Sequence, residues 1–94
     1  MMTPAEKRKF MADRLVRVAE KNHRRDMKMW KDDMDQDMRD LVDEDLVNAR
    51  EIAKLIRQNK LAKAWQLTWE LDTDPREQFP DSVYNWLSKE VDGE

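Results

Sequence analysis

Residues 11–41 read MADRLVRVAEKNHRRDMKMWKDDMDQDMRDL, a stretch without a single glycine or proline. Met11, Leu15, Val18 and Ala19 recur every three or four residues, which lines one face of an α-helix. Asn22 continues that face with a polar group. A second stripe, Met27, Trp30, Met34, Met38 and Leu41, keeps the helical period but is turned by about 100° on an ideal helix. Met29 lies off it. A third stripe is basic: Lys7, Arg14, Arg17, Lys21, Arg24, Arg25 and Lys28 fall within an arc of about 100°. It crosses residues 22–26 without losing phase. Either the helix breaks near Asn22–Asp26 or one long helix changes the partner it faces; the unbroken basic phase favours the second, a charged N-terminal arm over 3–42 that kinks, if anywhere, near 22–26.

Upstream, Thr3-Pro4-Ala5-Glu6 carries a helix start: a threonine cap, proline at the first helical position and glutamate at the third. Downstream, Asp43, Glu44 or Asp45 suits the cap of a second helix with acids in its first turn. Leu46, Ala49, Ile52, Ala53, Leu55 and Ile56 give that helix a broad apolar face, and Asn59 suits a left-handed stop. Leu61, Ala64, Trp65, Thr68 and Trp69 predict a further helix ending by Asp72. Asp74-Pro75-Arg76-Glu77 reads as a second capping box or a helical turn. Pro80 opens a last helix with Val83, Trp86, Leu87 and Val91 inward. Trp65, Trp69 and Trp86 are expected in the core. Only one glycine, Gly93, and three prolines occur, and no run alternates with the strand period. The expected fold is all-α: a small bundle of four or five helices with a long charged N-terminal helix. It forms one domain over 1–94, with 43–94 as its compact part.

Gln58-Asn59-Lys60-Leu61, followed by Ala64, resembles the turn and second-helix start of a tetratricopeptide repeat, and Asp74-Pro75 sits near that motif's terminal proline. The resemblance covers about a third of the chain, without the first-helix signature. It implies a helical hairpin and no function.

Composition narrows the chemistry. The chain has 94 residues, of which 41% are charged and 39% apolar, so it buries only a thin core. Four tryptophans and seven methionines argue against disorder. The absence of cysteine excludes disulfides and thiolate metal sites. No apolar run of signal-peptide or bilayer-spanning length occurs, so a soluble, cytoplasmic protein without membrane contact is expected. One terminal glycine excludes glycine-rich phosphate loops. His23 is the only histidine, set among arginines on a polar face, where simple solvation is expected. No carboxylate pair lies in an apolar setting that would tune it for acid–base work. No catalytic set, metal or cofactor is expected.

Charge is what stands out. Residues 1–31 carry a net +6, residues 32–45 a net −7 and the remainder −2. Arg14, Arg17, Lys21, Arg24, Arg25 and Lys28 form the candidate basic binding face. Asp13 stands four residues before Arg17 and Glu20 four before Arg24, the spacing of favourable intrahelical pairs that would neutralise part of it. Asp32, Asp33, Asp35, Asp37 and Asp40 form the candidate acidic face. It reads as a solvated face, a partner for the protein's own bases, or a mimic of nucleic-acid phosphates. Asp33, Asp35, Asp37 and Glu44 match ligand positions of a calcium loop, but Met38 stands where the turn needs glycine and keeps helical phase. Met27, Trp30, Met34 and Met38 form an adaptable stripe suited to the core or to docking against a helix.

These features point to a non-enzymatic interaction protein: an adaptor, assembly factor or inhibitor that binds a larger partner. Charge steers the encounter and the Met/Trp stripe docks. A nucleic-acid-binding protein using the basic face is the alternative, and a structural coiled-coil oligomer is the third. The +6 and −7 segments also suit an antiparallel homodimer, with 7–28 of one chain against 32–45 of the other.

Overall fold

A computed structural model describes residues 2–29, 32, 35–70 and 79–92. Among them the chain is all-helical, with four helices: α1 (Pro4–Met29), α2 (Gln36–Arg57), α3 (Leu61–Trp69) and α4 (Asp81–Asp92). In α1 the Thr3 Oγ1 accepts from Glu6 N at 3.2 Å, and Lys7 N donates to Thr3 O at 2.9 Å. The cap thus satisfies donors that the first helical turn would otherwise leave open. The helix passes through 22–26 without interruption, as the unbroken basic phase implied.

The arm over 3–42 is not one helix. α1 ends at Met29, and Asp35 caps α2, its Oδ1 accepting from Met38 N at 2.8 Å. Asp43, Glu44 and Asp45, expected to cap a helix, lie inside α2 instead. Two causes act together. The acidic block offers caps throughout its length, and nothing after Asp35 breaks the helix. The apolar residues of α2 then meet those of α1 because the two helices pack antiparallel. The same capping removes the calcium reading: Asp37 and Glu44 stand in regular helix, and Asp33 lies outside the described residues. Asn59 ends α2 at φ 60, with Lys60 N donating to Leu55 O at 2.8 Å and Asn59 N to Ile56 O at 3.0 Å. Asparagine tolerates that left-handed position better than most residues with a Cβ.

α1 packs on α2, α2 on α3, α3 on α4, and α4 back on α1. The core joins Met11, Ala12 and Leu15 of α1 to Ile52, Ala53 and Ile56 of α2, with Ala64, Phe79, Val83 and Leu87 closing it. Thr68 is buried in α3 and donates its hydroxyl to Ala64 O at 2.8 Å, so no polar group is stranded there. Trp65 and Trp86 pack against the core. Trp69 corrects the expectation: it is 51% exposed at the last position of α3. It meets Trp65 edge-on at 5.6 Å and Tyr84 at 6.3 Å, covering the aromatic cluster from outside. The capping box proposed at 74–77 lies outside the described residues.

Length decides what the fold leaves open. At 1.5 Å per residue α1 is about 39 Å long, whereas α3 and α4 are about 14 and 18 Å. The two short helices cover only the half of the α1/α2 hairpin that holds the core. Its distal half, the end of α1 and the start of α2, extends beyond them, and the molecule measures 45 × 24 × 19 Å.

Candidate functional site: the charged hairpin

Three contacts fix the antiparallel seam. Arg57 donates to Asp13, Arg50 Nη2 lies 3.5 Å from Glu20 Oε1, and His23 Nε2 donates to Asp43 Oδ1 at 2.7 Å. All are partly solvated, so each is worth about 0.2–1 kcal/mol. They specify register more than they stabilise. Two expectations change here. Asp13 and Glu20 pair across to α2 rather than along α1 with Arg17 and Arg24. His23 is not simply solvated: its side chain is 21% exposed and held by Asp43. A signal for the first was present in the sequence. Asp13 and Glu20 are seven residues apart, as are Arg50 and Arg57, the spacing of one repeating helical contact.

The consequence falls on the basic face. Arg14, Arg17, Lys21, Arg24, Arg25 and Lys28 are all exposed. Among the described residues only Arg25 is within ion-pair distance of a carboxylate, Asp26 at 3.6 Å. From residue 14 to residue 28, every position in the outward arc of α1 is Arg or Lys. The acidic residues Asp37, Asp40 and Glu44 are exposed on α2, and Asp32 and the cap Asp35 are exposed ahead of it. α1 turns Asp13 and Glu20 towards α2, and α2 turns Arg50 and Arg57 towards α1. Helical phase then sends the basic arc and the exposed Asp40 and Glu44 to opposite flanks of the hairpin.

The apolar stripe divides. Met27 is half-buried, Met38 is 43% exposed, and Trp30 and Met34 lie outside the described residues. Leu41 and Met29 are 47% and 62% exposed; Met29, off the sequence stripe, joins the uncovered surface because it closes α1 at the hairpin end. Between the helices a cavity of about 200 Å3 runs from Leu15 and Ala49 outward, bordered by Ala19, Asn22, His23, Asp26, Val42 and Leu46, with Phe79 at its inner end. It marks where core packing stops. Among the described residues, no three His, Asp or Glu side chains converge to hold a metal, and no helix is long and apolar enough to cross a membrane.

No protein family, curated protein or solved structure matches this chain.

Proposed function

We propose that this is a non-enzymatic interaction protein that takes a larger protein partner on the distal half of its α1/α2 hairpin, as an adaptor, assembly factor or inhibitor. One observation carries the reading: Met29, Met38 and Leu41 stand exposed where α3 and α4 do not reach. Met38 shares its helical phase with Ala49, Ile52 and Ile56, which are buried further along α2. It therefore belongs to a packing face whose cover ends early. Methionine adapts to irregular partners, and an amphipathic helix is the element that fills such a face elsewhere in this fold. Asp37, Asp40 and Glu44 are exposed close by, so the partner is a helix with bases flanking its apolar positions. The acids accelerate the encounter and the apolar contacts hold the complex.

The test is capture from nuclease-treated lysate on immobilised protein, comparing wild type, a Met38→Ser/Leu41→Ser variant and a variant with Arg14, Arg17, Lys21, Arg24 and Lys28 replaced by Gln. All are first shown to be helical by circular dichroism. A defined partner is retained by wild type and by the Gln variant, and is lost from the Met38/Leu41 variant. Capture that ignores Met38 and Leu41 would reject the reading.

A further inference from the structure

We infer that the outward face of α1 binds nucleic-acid backbone, a flank of the hairpin other than the face that carries Met38 and Leu41, and independent of the partner proposed there. The arc from Arg14 to Lys28 contains four arginines and two lysines and nothing else. A solvated helix face usually mixes signs, and the acids that could have balanced this one are engaged elsewhere. Asp13 and Glu20, at its α2 edge, are held by Arg57 and Arg50. Arg14, Arg17, Lys21, Arg24 and Lys28 are left without a carboxylate partner among the described residues.

The chemistry distinguishes nucleic acid from an acidic protein. Protein interfaces are anchored by desolvated aromatic or aliphatic side chains, and between residues 14 and 28 the arc has none. Phosphate backbone needs no such anchor, because release of its condensed counterions supplies the binding free energy. Arginine forks match phosphate oxygens in bidentate geometry. The stripe is about 21 Å long, the axial length of roughly six base pairs. It holds no Asn, Gln or aromatic side chain to read base edges, so binding is independent of sequence. Asp40 and Glu44 of α2 do not forbid it. They lie on the other flank of two helices each about 10 Å across, beyond the screening length of about 8 Å at physiological salt. Their field instead leaves only one side of the molecule open to the polyanion.

Fluorescence anisotropy with the full chain tests this, using two labelled DNA duplexes of about 20 base pairs and unrelated sequence, with salt raised from about 50 to about 200 mM. Both duplexes bind alike, and the log–log salt slope corresponds to roughly three to five phosphates. Replacing Arg14, Arg17, Lys21, Arg24 and Lys28 by Gln lowers the affinity by at least about tenfold and flattens the slope. The single changes Arg17→Gln, Lys21→Gln and Arg24→Gln each reduce it by about one, and they serve alone should the fivefold variant fail to fold. Met38→Ser/Leu41→Ser leaves duplex binding unchanged, so this surface and the protein-docking surface fail separately. No anisotropy change at low salt, or equal binding by the Gln variants, would overturn the inference. Displacement of the duplex by polyglutamate at equal charge would do the same, and would assign the face to an acidic protein.

Discussion

Asn59 carries the α2–α3 turn on one dihedral. Its φ of 60 places it where a Cβ costs energy, a cost that asparagine bears better than alanine, and two hydrogen bonds, from Lys60 N to Leu55 O and from Asn59 N to Ile56 O, depend on that geometry. Asn59→Ala should therefore destabilise the fold by about 1 kcal/mol, and Asn59→Gly should be neutral or better, because glycine meets no Cβ penalty there. Urea denaturation of the three proteins decides it; equal loss in both variants would mean that the Asn59 side chain, not its backbone, matters. That stop was readable from the sequence because asparagine after an apolar helical run has few other uses. So was the cap at Thr3, for the same local reason. His23 and Asp43 were not readable as a pair. Nothing local links residues twenty apart, and only the hairpin register brings them to 2.7 Å. Asp13 and Glu20 misled for a related reason: a favourable neighbour four residues along α1 hid a cross-helix partner with the same chemistry.

Among the elements, α4 shows how covered and uncovered positions differ. Val83 and Leu87 are one turn apart and fully buried in the core, in a helix that packs on α3 and α1, whereas Leu41 on the distal part of α2 is 47% exposed. Leu87→Ala removes buried methyl groups and leaves a cavity, so it should cost about 2–5 kcal/mol. Leu41→Ala should stay within about 0.5 kcal/mol, since an exposed side chain loses little on truncation. Thermal or urea unfolding of the two variants makes the comparison, and a comparable loss in both would show that the distal half is covered in the folded protein. The helical class and the inward faces of α2, α3 and α4 followed from periodicity, because the core reads those stripes directly. The division between α1 and α2 did not. Between 32 and 45 the chain offers eight acids, and several suit an N-cap equally. The choice of Asp35 belongs to tertiary packing, which sets Ile52, Ala53 and Ile56 against Met11, Ala12 and Leu15. Trp69 departs from its stripe at the same scale. Periodicity points it inward, but α3 ends on it and covers it from one side only.

At the scale of the whole molecule, the question is whether the two charged faces join copies of the chain. A two-fold dimer places one patch against itself, so a self-complementary patch must hold both signs within a single surface. Here the basic arc of α1 and the acids of α2 leave the hairpin on opposite flanks. Setting α1 of one copy on α2 of another uses one face of each and leaves the others open, which yields a head-to-tail chain rather than a closed pair. Each link would rest on solvated ion pairs worth about 0.2–1 kcal/mol apiece. Over 7–28 the basic arc offers only Phe10, 46% exposed, as an apolar contact to add to them, and physiological salt screens the ion pairs. The antiparallel pairing of 7–28 with 32–45 is therefore not expected to persist at micromolar concentration. Light scattering should return the mass of one 11.4 kDa chain, unchanged between low and physiological salt. Reversing Arg17, Lys21 and Arg24 to Glu should leave that mass alone while abolishing duplex binding. A wild-type mass near twice that value, lowered by the same reversal, would restore the dimer and place the basic face inside it, where nucleic acid could not reach it.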